Sequence, residues 1–159
     1  MDSKTIMKTL RKCELFSSLT EEELSLIARL GVAREYNAGE MIYEQGENGI
    51  NLFVLTTGQV SLTRSVHLGN SRNACTPVYV VRETLQRRLI GGWCALVGEP
   101  HVQMCSARCD KPSEVVSIDG SEFRAILVKN SDIRIKILEK LILILRDRLE
   151  SIYAAMETI

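Results

Sequence analysis

Short apolar segments separated by glycine-containing breaks run from residue 32 to residue 118, and this pattern restricts the fold more than any other feature. The segments predict strands because they are rich in β-branched and aromatic residues. Evenly spaced short strands with glycine turns are typical of a sandwich or a barrel. The predicted strands cover residues 32–36, 41–45, 51–56, 59–64, 78–81, 87–90, 102–107 and 115–118.

Charge and length exclude several classes of protein. The 159 residues are enough for one domain, and 20 basic residues balance 20 acidic ones. A neutral chain has no general field that would attract nucleic acid or an anionic membrane. The sequence has neither a long apolar run nor the opening of a signal peptide, so we expect a cytoplasmic protein that does not enter membranes.

Helical periodicity flanks the strand region on both sides. In residues 1–31 we predict two short helices, the second beginning at a capping box formed by Thr20 and Glu23. Residues 119–159 predict a short helix and then a long one over 132–157. The predicted fold is therefore α+β, a single domain with a β framework over 32–118 between two helical segments.

The long helix carries a regular apolar seam. The spacing alternates between three and four residues over three heptads, which is the pattern of a two-stranded coiled coil. We predict a parallel homodimer through this helix; the alternative is a single amphipathic helix packed on its own core. Arg146, Asp147, Arg148 and Glu150 are predicted to face solvent. The seam consists of Ile135, Leu138, Ile142, Leu145, Leu149, Ile152 and Met156.

A pair of glycines, Gly91 and Gly92, opens a turn inside the strand region. Glycines allow positive φ and close approach of the backbone to a ligand. If the following residues up to Leu96 are helical, their free N–H groups point at the same place and form an anion cradle.

These patterns together resemble the cyclic-nucleotide-binding domains related to catabolite activator protein. The stretch 39–47, G-E-M-I-Y-E-Q-G-E, is similar to the family's G-E-x-I-x-x-x-G-E motif. The segment 51–55 and the glycine turn at Gly58 are similar to a family strand and its turn. The resemblance implies a double-stranded β-helix, or jelly-roll-like β-roll, of about eight strands, a dimerising C-terminal helix and a phosphate-binding cassette within residues 90–107.

The cassette departs from the family's pattern at both charged positions. Binding members read G-E-x-A-L, and their glutamate bonds the ribose; here Trp93 takes that place, where it would fill the pocket or stack on a ligand. His101 stands where the arginine for the cyclic phosphate is expected. Losing such contacts costs about 2–5 kcal/mol each, so cAMP or cGMP is possible but disfavoured. The candidate ligand residues are Gly91, Gly92, Trp93, Cys94, Ala95, Leu96, His101, Val102 and Gln103, with Arg87 and Arg88 as nearby cations.

Three hypotheses follow for the function. The first is a dimeric regulatory domain with a degenerate cassette that binds an unidentified protein partner. The second is a sensor for a cyclic nucleotide, another nucleotide or anion, or haem near Cys94 and His101. The third is a fragment of a transcription regulator, although we expect no DNA binding by this chain alone because no basic recognition helix follows the long helix.

Two further kinds of site receive little support. A metal site would use Cys94, His101, Cys105 and Cys109, but their spacing is looser than that of zinc knuckles, and free cysteines are commonly small core residues. An enzyme is not expected, since no nucleophile–base pair and no two-carboxylate site can be assigned.

Overall fold

Two antiparallel four-stranded sheets form the framework of the protein. The computed structural model describes residues 1–67, 75–83, 88–92, 96 and 101–157. One sheet has the strand order β1-β10-β4-β7 and the other β2-β9-β5-β6, while β3 and β8 pair separately. The predicted α+β β-roll is confirmed. The strands are β1 (Gly31–Tyr36), β2 (Met41–Tyr43), β3 (Asn48–Gly49), β4 (Asn51–Thr57), β5 (Val60–His67), β6 (Cys75–Glu83), β7 (Leu89–Gly91), β8 (His101–Val102), β9 (Ser106–Cys109) and β10 (Ser113–Asp119).

Helices flank the sheets at both ends of the chain. Their bounds are α1 (Ser3–Lys12), a 3-10 turn (Glu14–Phe16), α2 (Glu21–Ala28), α3 (Gly120–Lys129) and α4 (Ser131–Glu157). The predicted capping box is confirmed: Thr20 Oγ1 accepts from the backbone N–H of Glu23 at 3.2 Å, and Glu23 Oε2 accepts from that of Thr20 at 2.9 Å. Asn130 alone separates α3 from α4.

The buried side chains form two clusters. The smaller lies between the two sheets, where side chains from both meet, as in the contact of the Tyr43 ring with Phe53 at 5.6 Å between centroids. The larger joins the helices to the β1-β10-β4-β7 sheet and includes the Phe16–Phe123 ring contact at 6.0 Å. The helices are therefore part of the core and not an appendage to the sheets.

Strand β6 is longer than the sequence pattern predicts. It begins at Cys75 and contains Pro77, whereas the expected strand covered only 78–81. Proline is compatible with this strand because β6 is the outer strand of its sheet, where alternate N–H groups point away from the neighbouring strand. The predicted loop over 68–74 lies outside the described residues.

Helix α4 buries one face and exposes the other. The buried face consists of Ile133, Ile137, Leu141, Ile144 and Arg148. The prediction that Arg148 faces solvent is wrong, since only 7% of this residue is exposed. No helix in the described part of the chain is both long enough and apolar enough to cross a bilayer.

Candidate functional site

Strand β7 delivers the chain to the glycine pair of the predicted cradle. β7 pairs with β4, with Phe53 opposite Gly91. Tyr43 Oη lies 2.5 Å from the point where a Cβ on Gly91 would stand, and this hydroxyl donates to the carbonyl of Ile90 at 3.3 Å. A larger residue at position 91 would therefore displace the Tyr43 ring from the core between the sheets.

At position 92, a neighbouring strand lies so close that only glycine fits. Its φ is +93°, and a Cβ there would stand 2.0 Å from the carbonyl oxygen of Asn51 in β4. The backbone at position 92 consequently lies directly against the neighbouring strand. Packing alone accounts for both glycines, so their presence does not by itself indicate a ligand.

Trp93, Cys94 and Ala95 of the candidate set lie outside the described residues. The next described residue after the glycines is Leu96. Leu96 is buried in the larger core cluster. Its carbonyl accepts from Arg124 Nη1 at 2.9 Å, which ties this point of the chain to α3. This hydrogen bond is a direct contact between the segment after the glycines and the C-terminal helices.

Of the two candidate cations, Arg87 and Arg88, the structure describes only Arg88. Arg88 has a φ of +64°, and its Nη1 donates to the carbonyls of Leu55 at 3.1 Å and Thr56 at 2.7 Å. This guanidinium is engaged by the backbone of β4, so it fastens the start of β7 to its neighbour.

Strand β8 consists of two of the predicted ligand residues, His101 and Val102. Its backbone pairs with β3, with His101 opposite Gly49 and Val102 opposite Asn48. Val102 is exposed, whereas Gln103 is buried. The Gln103 Nε2 atom lies 2.1 Å from the position that a Cβ on Gly49 would take, so the amide covers the glycine closely. Gln103 is the candidate residue here that faces inward.

The two described cysteines of the proposed metal set behave as core residues. Burial raises the pKa of the Cys109 thiol, and it also raises that of Cys105, against which the charges of Arg64 and Arg148 act. A raised pKa disfavours the thiolate that binds metals. Among the described residues no group of three His, Cys, Asp or Glu is placed to hold a metal ion. Cys94 and the His101 side chain are not among them.

A buried arginine from α4 reaches the strand that enters the cassette. Arg148 Nη2 donates to the carbonyl of Leu89, the first residue of β7. The sequence does not indicate this contact, because four of the five residues at 146–150 are polar and predict a solvated helix face. The last buried position of α4 is therefore joined to the backbone just before Gly91.

Comparison with known proteins shows the family to which this fold is similar. The family model "Cyclic nucleotide-binding domain" matches residues 33–130. A cGMP-dependent protein kinase, egl-4 of Caenorhabditis briggsae, is 38% identical over 61 residues, which are 38% of this chain. That alignment covers 8% of the kinase, so the chain corresponds to a small part of this relative.

Two solved structures show the same fold. A cyclic nucleotide-binding domain from Methylobacillus flagellatus superposes with a TM-score of 0.77 at 15% identity, covering 98% of this chain and 83% of that one. The regulatory domain of Toxoplasma gondii PKA, crystallised with cAMP, gives a TM-score of 0.69 at 15% identity and covers 87% and 49%.

Proposed function

Because the chain belongs to the cyclic nucleotide-binding domain family, we propose that it is a dimeric regulatory module that binds cAMP or cGMP weakly or not at all. The family is regulatory and not catalytic. The observation that carries the proposal is the exposed face of α4. Six of the seven seam residues are exposed, among them Ile142 at 66%, and Leu138 is partly buried against the core.

An exposed apolar stripe of this length favours a helical partner. The helix packs on the core through the neighbouring face, which leaves the six exposed seam residues open to a partner. In the first two heptads, Ile135–Leu138 and Ile142–Leu145, isoleucine at the first position and leucine at the fourth favour two parallel strands; the third heptad, Leu149–Ile152, has the reverse order. A second copy of α4 offers the matching stripe.

Charges beside the seam support the parallel arrangement. Arg134 and Glu139, both exposed, occupy the heptad positions that face each other between two parallel helices in register. Two such pairs of opposite charge would form, one on each side of the seam. An antiparallel arrangement would not bring these two residues together in register.

Sedimentation velocity between about 1 and 100 μM protein tests the dimer. We expect a dimer that becomes a monomer in the double variant Ile142→Glu/Leu149→Glu, because four carboxylates would be buried together at the seam. The control, Ile50→Glu/Val128→Glu, places the same charges at exposed apolar residues outside α4 and should stay dimeric. A wild-type monomer at all concentrations would reject the proposal.

Weak binding of cyclic nucleotides is supported by Trp93 and His101 in place of the family's glutamate and arginine. Isothermal titration of cAMP and cGMP into about 100 μM protein tests this part. We expect no saturation below the millimolar range. Saturation at micromolar ligand would instead favour the ligand-sensor hypothesis, and the first side chains to replace would be Arg87, Arg88 and His101.

The kinase and PKA relatives also permit a role as part of a larger regulatory protein, and the transcription-regulator hypothesis is of this kind. An unidentified protein partner and a cytoplasmic location stay predictions. Absence of a Soret band from purified protein would remove the haem version of the sensor hypothesis.

A further inference from the structure

Helix α1 separates its side chains into a buried apolar face and an exposed basic one. Ile6, Thr9 and Leu10 are buried against the core. The opposite face carries four cations within nine residues. These are Lys4, Lys8, Arg11 and Lys12.

A cleft of about 340 Å³ lies along this basic face, between α1 and α2. Its floor is apolar, formed by the partly exposed Met7, with the fully buried Leu24 beneath it. Its rim carries the four cations and one acid, Glu21. The cleft is therefore concave, with an apolar centre and a net positive edge, which suits an elongated acidic segment carrying an apolar side chain.

The charges on the rim are available to a partner. Arg11 Nη1 donates to the carbonyl of Leu19 at 2.6 Å, so this guanidinium is held in place at one end. Lys4, Lys8 and Lys12 are exposed and form no ion pair with the described residues. In a chain of zero net charge, this local excess is a distinct feature of the surface.

We propose that this cleft docks an acidic helix of a partner protein. Lys4, Lys8 and Lys12 follow one another at intervals of four residues, which is about 6 Å along a helix axis. Carboxylates at positions i, i+4 and i+8 of a second helix repeat at the same distance and lie on one face. Apolar residues beside them would reach Met7 on the floor.

Two other anionic surfaces fit the cleft less well. Helices that lie on membranes present several large apolar side chains for insertion, but Ile6 and Leu10 are already buried in the core. Single-stranded nucleic acid binds on aromatic side chains, and the lining of this cleft contains none. A concave floor and a row of lysines favour a peptide.

Fluorescence anisotropy with a labelled, stapled helical peptide of about 16 residues tests the proposal. The peptide carries glutamates at i, i+4 and i+8 with leucines at i+3 and i+7, and a second peptide has glutamine in place of glutamate. The test variant is Lys4→Glu/Lys8→Glu/Lys12→Glu. The control, Arg108→Glu/Lys111→Glu/Lys129→Glu, makes the same change of charge at exposed residues elsewhere, and circular dichroism checks that both variants stay folded.

We expect saturable binding of the glutamate peptide, weaker binding of the glutamine peptide, and a loss of at least about tenfold in affinity in the test variant. The control variant should stay within about twofold of wild type. Absence of binding, or an equal loss in both variants, would overturn the proposal. The proposal would also be overturned if the peptide fails to bind while the wild-type protein binds phosphatidylserine vesicles or an oligonucleotide and the test variant does not.

This inference is independent of the dimer. The monomeric variant proposed above, Ile142→Glu/Leu149→Glu, leaves α1 unchanged and should bind the glutamate peptide with unaltered affinity. Failure of one proposal therefore leaves the other open to its own test.

Discussion

The two faces of α4 carry similar residues, but one face is buried in the core and the other is exposed to solvent. Ile144 is fully buried, while its neighbour Leu145 is exposed. Arg148 is buried against β7, while Arg146 on the same helix is exposed and pairs with Asp147 at 2.7 Å. Residue type alone therefore does not tell which side of this helix serves the fold and which is open to a partner.

Polar contacts lie at both ends of the buried face. Near its start, Lys136 Nζ donates to both carboxylate oxygens of Glu23 at 2.9 and 3.0 Å, joining α4 to α2. Near its end, Arg148 donates to the carbonyl of Leu89. Apolar packing between these points gives attraction, and the two polar contacts fix the position of the helix along its axis. Replacing matched residues on the two faces separates these roles.

The largest effect is expected from the apolar pair. Ile144→Ala should lower the free energy of unfolding by about 2–5 kcal/mol, because it leaves a cavity in the larger core. Leu145→Ala should cost much less within one chain and should weaken the dimer instead. Urea denaturation at two protein concentrations measures both effects. An equal loss for the two variants that does not depend on concentration would contradict the distinction between the faces.

The arginine pair should give the next largest effect. Arg148→Ala should lower the free energy of unfolding by about 1–3 kcal/mol, because the Leu89 carbonyl loses its donor and the buried stem leaves space. Arg146→Ala should change stability little, since exposed ion pairs contribute little. Thermal unfolding of the two variants compares them. If Arg146→Ala is the more damaging change, the burial of Arg148 is not important for the fold.

The smallest effect concerns the contact of α4 with α2. The hydrogen bond from the Thr20 backbone and then the Lys136 ammonium lower the pKa of Glu23. Because its folded-state pKa lies below the unfolded-state one, the carboxylate stabilises the fold above about pH 4.3, and this contribution is lost as the pH falls through the folded-state pKa. Glu23→Gln should therefore cost about 0.5–1 kcal/mol at neutral pH and nothing in strong acid.

Chemical denaturation as a function of pH measures this difference. Glu22→Gln is the control, since the Glu22 side chain is exposed one position earlier in the same helix. A Glu23→Gln deficit that persists unchanged at low pH would show that the carboxylate charge is not its cause.

Local patterns were enough to predict much of the fold. The capping box at Thr20 and Glu23 depends on residues three apart, and the strands depend on alternation over a few residues, so neither needs knowledge of the tertiary structure. The family resemblance depends on glycine turns that are local in the same way. The predicted strand is shorter than β6 because Pro77 gives a local signal against a strand. The place of β6 at the sheet edge, which tolerates a proline, is a property of the whole fold.

The candidate site was harder to predict because its features have two physical explanations. Gly91 and Gly92 indicate a cradle in sequence, but their contacts with Tyr43 and Asn51 explain them equally well. The sequence predicts an exposed Arg148 because the acceptor that permits its burial lies 59 residues away in sequence. The basic face of α1 had a visible signal, lysines at intervals of four, which a neutral total charge conceals.

The single residue between α3 and α4 gives the long helix the geometry of a lever. Asn130 has φ −130° and ψ 88°, and its Nδ2 donates to the carbonyl of Ile126 at 2.8 Å, so the direction in which α4 leaves is determined at one pivot. Twenty-seven residues of helix extend about 40 Å. A rotation of about 10° at that pivot would sweep the far end through about 7 Å. Because Arg148 joins α4 to Leu89, such a rotation would also move the strand that leads to Gly91.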